Sequence, residues 1–204
     1  MGFWKKNSYQ IVRLFVIQIG IAIFGMVLSF AVQTAFREKG DRIPLLFVSI
    51  FSVLFYLFIL YSVGWEIGGQ DRLRLDAVHA RVKGGKGFLL ILYAEFLSFL
   101  LCLLMVIGGI VFLAGGERAG ARIFAAGYVP ATFLFSMFAG ILRLLLEATK
   151  LSQETSPSYY LVAAILYLAS TLPAIAVTGF AYWMGVTERR LIPSSNRAAP
   201  GDKS

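Results

Sequence analysis

Four stretches of this sequence, residues 11–35, 43–64, 88–115 and 159–186, each run for more than twenty positions with no more than one charged side chain. A hydrocarbon core about 30 Å thick is crossed by roughly 20 helical residues, because each advances about 1.5 Å. Lipid offers no hydrogen-bond partner to a peptide group, so each run must satisfy its backbone internally, and an α-helix does so within one segment. Composition agrees with this reading. Of the 204 residues 58% are hydrophobic, and the mean hydropathy is +0.77, beyond what a water-soluble core requires.

The first run follows Lys5 and Lys6 and contains Arg13, a pattern shared with signal sequences, and Ser29-Phe30-Ala31 imitates a cleavage site. A cleavable signal has an apolar core of about 7 to 15 residues. The longer run here is expected to stay as a membrane helix. The second run ends in Trp65-Glu66, and the last is flanked by Tyr159, Tyr160, Tyr182 and Trp183, as aromatic belts at the two interfaces require. Pro173 should bend the last span, since it offers no N–H to the helix ladder. Residues 191–204 hold few large apolar side chains and many turn formers. They are expected to form a disordered tail on a helical membrane domain covering 1–190.

The segment 117–157 decides the number of crossings. Its stretch 123–146 is apolar enough to span but is interrupted by Gly127 and Pro130. Ser136, Gly140, Arg143, Glu147 and Lys150 recur at spacings of four and three, which on one helix makes a polar stripe. Such a helix lies in the interface or enters the bundle with its stripe inward. With four crossings, the N-terminal tail, the loop after the second run and the C-terminal tail share one side and hold twelve of the 19 Lys and Arg residues. With five, the division is ten against nine. The positive-inside rule favours the uneven division. The expected fold is therefore all-α: a polytopic helical membrane protein with four transmembrane helices plus one interfacial or re-entrant amphipathic helix, both termini cytoplasmic, with five transmembrane helices as the alternative.

The formal charge of +8 is spread between apolar runs and forms no continuous basic face, so nucleic acid is not an expected partner. Anionic headgroups account for the excess. Cys102 is the only cysteine and lies in an apolar run, and His79 is the only histidine. Neither a disulfide within the chain nor a multi-histidine metal centre can form, and no cofactor is expected. Gly84-Gly85-Lys86-Gly87 lacks the spacing and terminal hydroxyl of a phosphate-binding loop. It reads as a hinge with Lys86 as an interfacial anchor.

Glu95 is the main candidate for a functional side chain, because an ionised carboxylate facing lipid is costly. It must be protonated, paired or turned to a wet cavity, and Arg13, Arg72 and Arg143 are its candidate partners. Arg143 and Glu147 on the polar stripe form a second candidate group. The loop residues Glu66, Asp71, Arg72, Arg74 and Asp76 form a third, with enough charge to hold a phosphate or an ion-pair network. An amphipathic helix through Leu75, Val78, His79 and Val82, resting on the membrane, accounts for the same loop without a ligand. Gln18, Gln33, Tyr56, Tyr61 and Tyr93 can supply polar contacts between spans. Ala22, Gly25 and Ser29 present small residues on one face of the first span, which permits close approach of a helix from this chain or from a partner.

Two resemblances bear on function. Asp76-Ala77-Val78-His79-Ala80-Arg81 resembles the opening of the CDP-alcohol phosphotransferase signature, whose members bind divalent metal through further aspartates. Here Ala77 stands where that family has Gly, and Leu90, Ala94 and Ser98 stand where it has a later Gly and two Asp, so its metal site cannot assemble. Trp65-Glu66-Ile67-Gly68-Gly69-Gln70-Asp71-Arg72, followed by Gly85-Lys86-Gly87 and Tyr182-Trp183-Met184-Gly185, resembles an uncharacterised family of small multi-pass membrane proteins of Gram-positive bacteria. That resemblance implies four long spans in a bacterial cell membrane and carries no activity. The expected function is that of a structural or accessory membrane subunit, with the lipid bilayer and a membrane-protein partner or second copy as partners. A small transporter or substrate-binding transport component is the alternative. A lipid-modifying enzyme, resting on Asp71, Arg72, Arg74, Asp76 and His79, is a third reading.

Overall fold

The long apolar runs fold as helices, and the computed structural model describes residues 3–36, 43–76, 85–151 and 158–187. The described elements are α1 (Phe3–Ala35), α2 (Ile43–Asp76), α3 (Lys86–Ala94), α4 (Phe96–Leu113), α5 (Glu117–Leu134), α6 (Ala139–Ala148), α7 (Ser158–Ala169) and α8 (Leu172–Val186). Four segments, Asn7–Ala35, Ile43–Arg74, Phe96–Leu113 and Ser158–Val186, are long and apolar enough to cross a membrane. Their outward faces carry large apolar residues such as Phe30, Phe47, Phe58 and Phe96, which suits lipid as the surrounding solvent. The expected tail 191–204 lies outside the described residues, as does the loop 77–84 with His79 and the amphipathic face proposed for it.

Three of the sequence runs are broken, the third where a continuous helix was expected, the last near the bend expected from Pro173, and the 117–157 segment at a place other than its expected interruptions. The third run divides at Glu95 into α3 and α4, and the last divides at Ser170–Thr171 into α7 and α8. Pro173 falls in the first turn of α8, just beyond that break. The missing N–H deprives the helix of its bond to Ala169, so the helix restarts there. In the 117–157 segment, α5 runs on through Gly127 and Pro130, the expected interruptions. It stops instead at Phe135, passes a 3-10 turn at Ser136–Phe138 and resumes as α6. The bend between its two arms is 80°.

The ends of the helices decide how many times the chain crosses. Arg13 of α1 pairs with Glu66 of α2 at 2.8 Å, and Lys86 at the start of α3 pairs with Asp71 near the end of α2 at 2.6 Å. Tyr182 of α8 also donates to Asp71. The start of α1, the end of α2, the start of α3 and the end of α8 thus share one end of the bundle. At the other end, Phe112 in the last turn of α4 stacks against Tyr160 in the first turn of α7 with ring centres 4.4 Å apart. Gly120, in the first turn of α5, lies against the backbone of the same Phe112. Glu147, near the end of α6, lines a small cleft with Ile43, the first residue of α2, so the α5–α6 pair begins and returns toward one end of the bundle, the geometry of a re-entrant hairpin.

The hairpin tip is clamped between α1 and α2. Ser136 donates its hydroxyl to the carbonyl of Ala22, at 2.5 Å. The Gly140 N–H, one of the amides left over at the start of α6, donates to Ser49 Oγ at 2.6 Å. A Cβ on Gly25 would sit 2.8 Å from the Met137 backbone, and one on Gly140 would sit 2.4 Å from the Leu45 carbonyl oxygen. Both positions need glycine because the backbones meet directly.

The three breaks have one feature in common. Helices α1, α2, α3 and α8 pack chiefly on one another, α4, α5 and α7 form a second group, and α6 rests on α2. At Glu95, the 135–138 turn and Ser170–Thr171 the chain passes from one group to the other, as it does again between α6 and α7.

Single cysteines introduced into a Cys102→Ser background test the crossings. Positions 74 and 187 should react with an impermeant maleimide from one side of sealed vesicles, and 118 and 149 from the other. Reaction of 118 and 149 from opposite sides would make the hairpin a crossing helix.

Candidate functional site

Glu95 is 2% exposed and sits at the junction between α3 and α4, with φ −81° and ψ 5°. The backbone bonds continue through it: its N–H donates to the Ile91 carbonyl, and its own carbonyl accepts from Phe99. The side chain is held by two other helices. Tyr56 of α2 donates its hydroxyl to Oε1 at 2.9 Å, and Gln18 of α1 donates Nε2 to Oε2 at 2.6 Å. The same Gln18 nitrogen donates to Ser98 Oγ at 2.7 Å, one turn further along α4. All four residues are buried. Helical register explains the convergence, because Gln18 lies on the inward face of α1 with Ala22, Gly25 and Ser29, and Tyr56 lies on the inward face of α2 with Ser49 and Ser52.

The arginines expected to neutralise Glu95 do not reach it. Among the described residues no ion pair involves this carboxyl. Arg13 is bound bidentately to Glu66, and Arg143 binds Glu147. Glu95 and Arg143 therefore belong to separate sites. A carboxylate accepts hydrogen bonds and a carboxylic acid must also donate one. Toward a carboxylate both contacts donate, and toward a carboxylic acid the Tyr56 hydroxyl can turn to accept, so the same heavy-atom geometry holds either form. Among the described residues Ser52 Oγ, also buried, has no hydrogen-bond partner.

The second site is a partly open cleft of about 360 Å³ in the inner angle of the hairpin. Its walls come from Tyr128 of α5, Phe135 just beyond it, Leu142, Arg143 and Glu147 of α6, and Tyr159 and Tyr167 of α7. The rings brace one another. Tyr167 meets Tyr128 edge-on at 5.7 Å and Phe135 at 5.5 Å. Arg143 Nε donates to Glu147 Oε1 at 3.1 Å across one helical turn. The polar stripe expected on a single helix is divided by the 80° bend. Ser136 and Gly140 face α1 and α2, while Arg143 and Glu147 face the cleft. Lys150 has left the helix with φ 55°.

The loop candidates act as staples between helices. Glu66 is occupied by Arg13 and Gln70, and Asp71 by Lys86 and Tyr182. These contacts carry α2 twelve residues past the expected end of its apolar run, to Asp76. Arg74 is exposed, Arg72 is half-buried, and the side chain of Asp76 lies outside the described residues. The Arg13–Glu66 bridge is partly solvated and adds little stability by itself. Ala22, Gly25 and Ser29 are filled by the chain's own hairpin tip.

Compared with known protein families, curated proteins and solved structures, the chain matches none.

Sequence reasoning missed the tyrosine walls of the cleft, the Ser49 and Ser98 contacts and the pairing of Tyr182 with Asp71. The tyrosines give no signal beyond ordinary interfacial aromatics. For Ser98 a signal existed: it lies three residues beyond Glu95 on the same helical face.

Replacement of Glu95 by Leu should lower stability by about 2 to 5 kcal/mol, because it orphans the Gln18 amide and the Tyr56 hydroxyl in the interior. Glu95→Gln should cost less, since an amide retains an acceptor, and Tyr56→Phe should cost about 1 to 2 kcal/mol. Thermal unfolding in detergent ranks them. A Leu variant as stable as the parent would remove the network from the account.

Proposed function

We propose that the protein is a small transporter, or the solute-binding component of one, in which the α1, α2, α3 and α8 group moves against the α4, α5 and α7 group and Glu95 is the ionisable residue at the joint. The observation that carries this reading is the Glu95 environment: a carboxyl buried between helices, held by Gln18 and Tyr56 from two others, at a break in its own helix. Ionisable groups inside a membrane bundle are expensive and mark proton, ion or solute paths. Broken helices at membrane depth, with polar atoms at the break, are the usual material of transporter sites. The re-entrant hairpin supports the same reading.

The reading as a structural or accessory subunit stands second. The small-residue face of α1 that motivated it is occupied by Ser136 and Met137 of the same chain. The reading as a lipid-modifying enzyme loses support as well, because Asp71 is engaged by Lys86 and Tyr182.

The proposal includes a bacterial cell membrane and a cytoplasmic location for the end of the bundle at which α1 starts and α8 ends. Lys5, Arg13, Arg72, Arg74 and Lys86 lie toward that end, and the positive-inside rule orients it.

Purified protein in liposomes should take up at least one solute from a panel of amino acids, sugars, nucleosides and inorganic cations faster than empty vesicles do. An inward proton gradient should alter that rate in the parent and leave the folded Glu95→Gln variant unaffected. Uptake equal to that of empty vesicles across the panel would overturn the transporter reading, and an unchanged gradient response in Glu95→Gln would remove Glu95 from it.

A further inference from the structure

The hairpin cleft is separate from Glu95, and its chemistry indicates what it takes. Its volume of about 360 Å³ lies at the small end of the roughly 300 to 1,000 Å³ usual for small-molecule sites. A single small solute fits that space, whereas a peptide or an acyl chain pair does not. Tyr128, Phe135, Tyr159 and Tyr167 supply apolar ring faces and edges. Arg143 and Glu147 set one positive and one negative group side by side on the α6 wall.

That charge pair selects by sign. A simple anion attracted by Arg143 meets the Glu147 carboxylate, and a simple cation attracted by Glu147 meets the Arg143 guanidinium. A molecule carrying both an anionic group and an ammonium satisfies both, with its ammonium placed near the tyrosine faces. The Arg143–Glu147 contact itself is half-exposed and spans one helical turn, so that contact adds little stability and a ligand oxygen can take its place at Arg143. The rings then receive an apolar or aromatic side group.

We propose that this cleft binds a zwitterionic small molecule with an apolar or aromatic side group, of the free amino acid class. The inference deepens the transport reading by naming its solute, yet the site is tested by binding alone. The same head chemistry occurs in phosphoethanolamine lipids, and the experiment separates the two sources.

The probe is L-phenylalanine, titrated calorimetrically into the detergent-purified full chain. Saturable binding is expected, with phenylacetate and phenethylamine, each lacking one charge, at least about tenfold weaker. That is the size of one lost charge-assisted hydrogen bond. Arg143→Gln and Glu147→Gln should each weaken L-phenylalanine by about tenfold. Their melting temperatures should stay within a few degrees of the parent, since both side chains are partly exposed. Tyr159→Ala should weaken L-phenylalanine more than glycine. Several outcomes overturn the proposal: no binding, equal binding of either single-charge analogue, or parent-like affinity in both α6 variants. O-phosphoethanolamine that outcompetes L-phenylalanine assigns the cleft to a lipid headgroup and overturns the amino acid assignment. Binding as expected without uptake in liposomes keeps the cleft and removes the transporter reading. Uptake that is indifferent to Arg143→Gln and Glu147→Gln keeps the transporter and removes the cleft.

Discussion

A peptide group inside hydrocarbon finds a hydrogen-bond partner in the protein or not at all. The hairpin tip is where this constraint is most severe, because a bend of 80° interrupts the helix ladder at depth. The chain answers with side chains from outside the hairpin. Ser49 of α2 takes the Gly140 amide, and Ser136 returns a hydroxyl to the Ala22 carbonyl. Those bonds require the backbones to lie almost in contact, and Gly25 and Gly140 make that contact sterically feasible. The position of α6, the shape of the cleft below it and the reversal of the chain toward α7 all follow from this seat.

The four spans were legible in the sequence because lipid demands twenty apolar residues in a row, and nothing else in an ordinary chain produces that pattern. The breaks were not legible. At Glu95 and Ser170–Thr171 the sequence keeps its hydropathy while the helix is interrupted, and only Pro173 announces the second break. Pro130, which sequence reasoning treats as a stop, lies on an exposed side of α5, and the helix runs through it. The actual stop at Phe135 is decided by what lies opposite, namely the hydroxyls and glycines of α1 and α2. Tertiary contacts of this kind leave no local trace.

The candidate residues divide along the same line. Glu95 was identifiable because a carboxyl in an apolar run is anomalous wherever it points. Its partners were misassigned, since charge suggested arginines while the structure supplies an amide and a phenol. Arg143 and Glu147 were identifiable as a pair from their spacing of four. Their environment was not, because the stripe was extended through a helix that bends. Asp71 and Glu66 look like ligand groups in a list of polar loop residues, but Lys86, Tyr182 and Arg13 make them staples.

The distribution of bonds also constrains how the molecule can move. The tip is tied to α1 and α2 by hydroxyl contacts, whereas α5 is pressed against α4 along its length. Separating the tip from its seat would strand the Gly140 amide in the interior, a cost of about 1 to 3 kcal/mol for each unsatisfied group. The 135–138 turn is held by its own backbone as well, with the Phe135 N–H on the Ala131 carbonyl and the Phe138 N–H on the Phe135 carbonyl. At Ser170–Thr171 backbone and side chain bond to the same carbonyls: the Ser170 N–H and Oγ to Leu166, and the Thr171 N–H and Oγ1 to Leu168. The Glu95 junction is tied in the same way, since its backbone stays bonded to Ile91 and Phe99 while its carboxyl is held by Gln18 of α1 and Tyr56 of α2. Each junction between the two helical groups is therefore closed by hydrogen bonds, and an unpaired polar group left there would find no substitute partner in lipid.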